Sequence, residues 1–247
     1  MFNQDLEGTF TIFGLSHLLA IIVVFFSVFL VIYYKDTLKQ KKYYNRFRYL
    51  FVIITVGQEL SLNIYRIIMG EWMISTSLPL QLCGMAMLIT SYILIKESKK
   101  VFLWTFFIMM IGATMAVLTP AVENNLGFPH YRYWQFFLGH GMILVNFAFM
   151  LFVMEYYKDV KYTHLAYNLV TVLALALFTY IVNVITGGNY MYTMGKPGEG
   201  TAFDLFGDHP WYIINIIFIG IPIFFHLFYI PFFIRNVRNN KRLLRTN

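Results

Sequence analysis

The chain has 247 residues, of which 59% are hydrophobic and 13% charged, against roughly 45–50% and 25% in an ordinary soluble domain; a water-soluble globule is excluded. One cysteine, Cys83, excludes an internal disulfide and a cysteine-built metal site. The formal charge of +7 would suit a nucleic-acid surface, and that class falls away once the charges are located along the chain.

Six stretches hold no Asp, Glu, Lys or Arg: 8–34, 72–95, 101–122, 133–154, 165–195 and 211–234. Each can supply the ~20 apolar residues a helix needs to cross a bilayer. The runs are continuous rather than alternating, so helices are predicted and a β-barrel is not. In chain order, the first span covers about 13–34. The dozen residues before it carry Asp5 and Glu7 and no Lys or Arg, the reverse of a signal peptide's positive n-region, so this span is expected to be retained. The second, about 49–68, stands apart because it carries Gln58, Glu59, Asn63 and Arg66. The third, about 78–95, opens on Leu78-Pro79-Leu80, where Pro79 suits the first turn of a helix. The remaining spans follow at about 101–119, 133–154, 165–186 and 211–234. Connections are short except 120–132 and 187–210, whose Pro and Gly residues mark loops. The expectation is an all-α fold: a polytopic membrane bundle of seven transmembrane helices forming a single domain over 1–247.

Lys and Arg alternate between the connections. There are none in 1–12, six in 35–49, none in 69–77, three in 96–100, one in 120–132 (Arg132), two in 155–164, one in 187–210 (Lys196) and five in 235–247. One side holds sixteen and the other two, with Arg66 inside a span. By the positive-inside rule the N-terminus lies outside and the C-terminus in the cytoplasm. The basic residues thus have a topological role, and no nucleic-acid partner is expected.

With directions assigned, polar residues take depths at ~1.5 Å per residue. Cys83, about five residues into span three, and His140, about seven into span five, both fall roughly 8–10 Å below the outer boundary. His17, Asn183 and Asn215 fall in the same layer, and Glu59 and Asn63 lie just under the outer end of span two. Glu59, Asn63 and Arg66 follow i, i+4, i+7 spacing and share one helix face, which should point into the bundle because a carboxylate in hydrocarbon is costly. The same trio also reads as a structural pair bridged by Asn63, or as an Arg66 that reaches outward to the interface. For the deeper Asn146 and His226 the simpler reading is interhelical hydrogen bonding.

A thiol and an imidazole at equal depth on two helices are the minimum for nucleophilic acyl transfer. Cys83 follows Pro79 closely, so the positive end of a helix would favour its thiolate. Gly139 and Gly141 flank His140 and permit close helix approach around the ring. Against this stands the plainer reading of Cys83 as packing and His140 as an interhelical donor.

Several motifs stand in order along nearly the whole chain: Leu15-Ser16-His17, Glu59-Leu60-Ser61, Leu78-Pro79-Leu80-Gln81-Leu82-Cys83, Leu118-Thr119-Pro120, Phe128-Pro129-His130-Tyr131-Arg132-Tyr133, His140-Gly141, Thr186-Gly187-Gly188-Asn189-Tyr190-Met191-Tyr192, Lys196-Pro197 and Pro210-Trp211-Tyr212. Together they resemble the YwaF-type family of bacterial integral membrane proteins. That family is similar to a eukaryotic multispan branch regarded as a cysteine- and histidine-dependent phospholipid acyltransferase, and more distantly to seven-span lipid hydrolases of the androgen-induced-gene type. The resemblance implies lipid acyl chemistry in a bacterial plasma membrane, with the nucleophile position at Cys83 and the histidine position at His140.

The expected function is an acyltransferase that passes a fatty acyl group from a phospholipid through a Cys83 thioester to a second acceptor, with His140 as base. Asn63, Asn183, Asn189 or Asn215 are candidate oxyanion donors, Arg132 and Lys196 candidate phosphate contacts, and Glu59 a candidate orienter of His140 or His17. The partners are the phospholipid and the bilayer. No cofactor or metal is called for, because His17, Glu59, His130 and His140 lack a recognised ligand spacing. Two rivals share the same outward polar pocket: a non-enzymatic receptor, sensor or transporter for a small polar ligand, and a lipid hydrolase with water as acceptor. A further rival is a subunit that stabilises another membrane complex.

Overall fold

The computed structural model describes residues 10–120, 127–198 and 202–246, with side chains as far as Val237. Asp5 and Glu7, part of the 120–132 connection and the side chains of Arg238, Lys241, Arg242 and Arg245 lie outside the described residues. Of the described residues 78% are helical, and they contain no strand. The helices are α1 (Leu15–Tyr33), the single turn α2 (Lys35–Leu38), α3 (Lys41–Ile68), α4 (Leu82–Lys96), α5 (Lys99–Leu118), α6 (Tyr131–Ala148), α7 (His164–Thr186), α8 (Trp211–Asn215) and α9 (Ile221–Thr246). α6 continues through a π-helical stretch, Phe149–Val153, and a second such stretch, Ile216–Gly220, joins α8 to α9 into one rod.

Six of these helices are long and apolar enough to cross a membrane: α1, α3, α5, α6 with its extension, α7, and the rod Trp211–Val237. The apolar helix at the expected third span, α4, has 15 residues, about 22 Å of rise. It starts at Leu82 and not near Pro79, so Pro79 precedes the helix and does not sit in its first turn. The reason is tertiary. The Leu78 N–H donates to the Tyr190 hydroxyl at 3.0 Å, and the Gln81 side chain accepts the Met191 N–H at 2.9 Å, which holds the segment extended until Gln81.

α6 is the central pillar: 78% of its most apolar window is buried, against 17% for α1, α7 and the last rod. Those outer helices present Ile22, Phe26, Leu177, Ile181, Phe218 and Ile223 on their exposed faces, surfaces suited to lipid as solvent. Between α4, α5 and α6 lies the main core, built on Ile93, Phe102, Phe107, Ile143 and Phe149. The chain is a multi-pass membrane protein.

The two ends of the bundle differ. At the basic end, Arg48 pairs with Glu97, Lys39 with Glu155 at 2.9 Å, and Lys99 with Asp159 at 2.8 Å. Hydrogen bonds from the Lys158 and then the Lys39 ammonium groups hold the Glu155 carboxyl pKa at about 2, far below its ordinary value. At the other end the loop motifs close on one another: the Tyr190 hydroxyl donates to the Ile74 carbonyl at 2.6 Å, and the Tyr212 hydroxyl to that of Tyr192. Gly188 is required there, since a Cβ on it would lie 2.6 Å from the Ser75 carbonyl oxygen.

Candidate functional site

Cys83 is the second residue of α4, in its first turn, and is partly buried. Its Sγ lies 3.8 Å from where a Cβ on Gly112 of α5 would sit, so the glycine keeps open the space beside the sulfur. Behind it, the Pro79 carbonyl would stand 2.9 Å from a Cβ on Gly84, so the extended 78–81 segment and the first turn of α4 pack backbone to backbone.

His140 sits on α6. Its Nδ1–H donates to the Phe136 carbonyl at 2.8 Å, and its ring packs 4.2 Å from that of Phe136. A carbonyl can only accept, so the proton resides on Nδ1 and Nε2 carries a lone pair; Nε2 has no hydrogen-bond partner among the described residues. The glycines on either side set the packing. A Cβ on Gly139 would lie 2.9 Å from both Gln58 Oε1 and Met87 Cε, and one on Gly141 would lie 3.0 Å from Val24 Cγ2. α3 and α4 therefore press on α6 one residue before His140, and α1 presses one residue after it.

Two contacts set the register of α4 against α6: Met87 beside Gly139, and Thr90 Oγ1 at 3.4 Å from Asn146 Nδ2. Counting back from them at ~1.5 Å per residue, Cys83 is level with residues 135–139 of α6, just toward the loop end of His140. The imidazole folds back one turn to reach the Phe136 carbonyl, which carries the ring toward that same level. Thiol and imidazole thus belong to adjacent helices at matching height, and no hydrogen bond joins them among the described residues.

Beside Gly139 runs a chain of polar groups in which sequence reasoning assigned a role to Arg132 alone. Arg132 Nη1 donates to Gln135 Oε1, Gln135 Nε2 to Gln58 Oε1 at 2.8 Å, and Gln58 Nε2 to Met87 Sδ at 2.7 Å. Gln58 and Gln135 are 5% and 7% exposed, so two buried side-chain amides, neither of them among the asparagines of the loops, meet beside Gly139, the residue before His140. The i, i+3 spacing of Arg132 and Gln135, followed four residues on by Gly139, is the sequence signal that points to them.

The other expected residues are elsewhere or occupied. His17 is fully buried with both nitrogens engaged: Nδ1 accepts the Phe13 N–H and Nε2–H donates to the Val117 carbonyl, each at 2.9 Å, tying α1 to α5. Asn63 donates to the Glu59 carbonyl at 3.1 Å and accepts from Trp72 at 3.0 Å, while Arg66 donates to the Thr76 carbonyl at 3.3 Å. Glu59 and Arg66 form no ion pair among the described residues; Glu59 Oε1 instead lies 3.5 Å from Asn63 Nδ2. Asn183 spends its amide N–H groups on the Tyr190 carbonyl and Thr193 Oγ1, at 2.9 and 2.8 Å. Asn189 donates to the Gly195 carbonyl and Asn215 to that of Phe206, each at 2.9 Å. These three asparagines pin loops. Lys196 is clasped by Asp208 at 3.0 Å and Asp204 at 3.2 Å, and the Asp208 hydrogen bond, outweighing burial, raises its pKa. His130 caps α6 by accepting the Arg132 N–H at Nδ1, 3.2 Å away; burial, and then the Arg132 charge, lower its pKa below the ordinary 6.5. Among the described residues no three His, Cys, Asp or Glu side chains gather as a metal site would need.

Compared with known proteins, residues 12–228 match the family model described as the TMEM164 family. No curated protein and no solved structure matches the chain.

Proposed function

Because the chain belongs to the TMEM164 family, a multispan membrane family, we propose that it is an intramembrane acyltransferase. On its loop motifs we place it in a YwaF-type branch. The donor is a phospholipid, and the active end is the loop end, which the charge alternation assigns to the outside. His140 Nε2 takes the proton from Cys83 Sγ as the sulfur attacks the ester carbonyl carbon. The C–O bond breaks, the proton passes from Nε2–H to the leaving oxygen, and a lysophospholipid departs from the acyl thioester. An acceptor hydroxyl or amine then gives its proton to Nε2 and attacks the thioester carbon; the C–S bond breaks and Sγ regains the proton. A site walled by lipid and helix keeps water from replacing that acceptor.

The observation that carries this reading is the state of His140: Nδ1 is committed to the Phe136 carbonyl, leaving the Nε2 lone pair without a hydrogen-bond partner among the described residues at the height of Cys83. By contrast His17 has both nitrogens occupied, and His226 likewise lies between the Pro222 carbonyl and the Tyr162 hydroxyl. Of the two basic residues expected at a headgroup, Arg132 lies in the first turn of the helix that carries His140 and donates to Gln135 Oε1, whereas Lys196 is held by two aspartates; Arg132 is the phosphate contact in this reading.

Intact-protein mass spectrometry after incubation with a phospholipid mixture tests it. Wild type is expected to gain an acyl mass that hydroxylamine removes, and Cys83→Ser and His140→Ala to gain no thioester. Free fatty acid as the sole product would replace transfer by hydrolysis. No adduct and no lipid turnover with any acceptor would overturn the enzyme reading, and would favour a polar-ligand receptor or transporter.

A further inference from the structure

On the flank of α6 away from Cys83, α1 and the first half of α3 leave a groove of about 970 Å³. It follows the whole of α1, whose 19 residues rise about 28 Å, close to the ~30 Å of a bilayer's hydrocarbon core. Its floor includes Ala20, Val24 and Gly141, and its walls Phe47, Phe51 and Phe137. At the basic end it finishes against Tyr34, Thr37 and Tyr43.

The turn that closes this end is rich in lysine. Lys39 is engaged by Glu155 and Asp36. Lys35, Lys41 and Lys42 make no ion pair among the described residues; Lys42 lies 5.3 Å over the Tyr43 ring, and Lys41 and Lys42 are exposed. Lys41 and Lys42 also occupy the first turn of α3, a helix of 28 residues with no acidic residue in that turn and no side-chain cap from Gln40. Cations there face the positive end of the helix dipole, a repulsion that a docked anion would reverse.

We propose that the groove seats an anionic phospholipid drawn from the leaflet at the basic end. Its acyl chains lie along α1 and its phosphate meets Lys35, Lys41 and Lys42. A basic pocket between spans on the cytoplasmic side is the setting in which such headgroups bind. Small residues (Ser16, Ala20, Ser27, Gly141) lie between bulky aromatic and aliphatic ones along the groove, and the three lysines at its end, without an ion pair among the described residues, supply the charge that an anionic headgroup, and not an apolar partner helix, would neutralise; the occupant is therefore a lipid. The site is separate from Cys83 and His140 and does not depend on the chemistry proposed for them.

Native mass spectrometry of the purified full chain, titrated with phosphatidylglycerol and with phosphatidylcholine of the same acyl composition, tests this. Wild type is expected to retain phosphatidylglycerol preferentially. At about 1 kcal/mol per lysine the three together account for a preference of roughly 100-fold. Lys35→Gln/Lys41→Gln/Lys42→Gln should therefore lose most of it while still holding phosphatidylcholine. Ser27→Trp, which fills the middle of the groove, should lower retention of both lipids. Lys96→Gln/Lys100→Gln removes two exposed lysines from another turn and should leave the preference intact. Equal retention of the two lipids by wild type, the same loss in the Lys96/Lys100 variant as in the triple variant, or undiminished binding in Ser27→Trp would each overturn the proposal.

Discussion

Replacing Gly139 by alanine probes the packing that holds His140. The added Cβ would stand 2.9 Å from Gln58 Oε1 and 2.9 Å from Met87 Cε, closer than atoms settle without something moving. Gln58 has little freedom to yield, because it accepts from Gln135 at 2.8 Å and donates to Met87 Sδ at 2.7 Å while 5% exposed. Relief costs either the strain of overpacking, about 1–3 kcal/mol, or a buried hydrogen bond, about 1–3 kcal/mol when a partner is left unsatisfied. Alanine returns about 0.8–1.0 kcal/mol of helix propensity relative to glycine. The net loss relative to wild type should be about 0–2 kcal/mol, and about 1–3 kcal/mol relative to a variant that gains the same propensity without the clash, or roughly 2–12 °C in midpoint between the two at ~2–4 °C per kcal/mol. Gly112→Ala is the comparison: its nearest neighbour is Leu82 Cδ2 at 3.5 Å, an ordinary contact, so this variant should be neutral or slightly more stable. Thermal unfolding of detergent-purified protein, followed by loss of the monodisperse peak, reads both. Equal midpoints for Gly139→Ala and Gly112→Ala would refute the claim that α3 and α4 press on α6 beside His140.

Three further outcomes follow from the structure. The His130 cap works with a neutral imidazole, and the lowered pKa means the unfolded chain binds the proton first; its stabilisation is complete above 6.5 and fades as pH falls below that value. His130→Asn keeps a capping acceptor without titrating, so its midpoint should decline less than wild type's between pH 7 and 5. At the basic end, Arg48 is 5% exposed and paired with Glu97. Glu97→Gln leaves a buried guanidinium without its carboxylate and should destabilise more than Arg48→Met, which removes the charge; a reversed order in thermal unfolding would contradict this. Tyr190→Phe deletes the hydroxyl that joins the Leu78 N–H to the Ile74 carbonyl. Limited proteolysis should then cut faster within 69–81, and the acyl adduct on Cys83 should form more slowly.

The membrane class was legible in composition alone, because hydrocarbon demands long uncharged runs whatever the tertiary fold. Six of the expected spans reappear as long apolar helices for that reason. The gathering of Lys and Arg into alternate connections likewise shows as one basic end, where Arg48, Lys39 and Lys99 find Glu97, Glu155 and Asp159. Pro79 shows where local reasoning stopped: its residue type suits a first turn, but the hydrogen bonds of Leu78 to the Tyr190 hydroxyl and of the Met191 N–H to Gln81, each spanning more than a hundred positions, delay the helix to Leu82. The asparagines shared one expected role because depth says nothing of what an amide faces. In the fold Asn183, Asn189 and Asn215 each meet a loop carbonyl, while Gln58 and Gln135 come together beside Gly139. Depth along a helix is a property of the chain and can be counted. Rotation about the helix axis, the order of neighbours and the free nitrogen of an imidazole arise only from packing, and on these rest the placing of Cys83 beside Gly112 and the open Nε2 of His140.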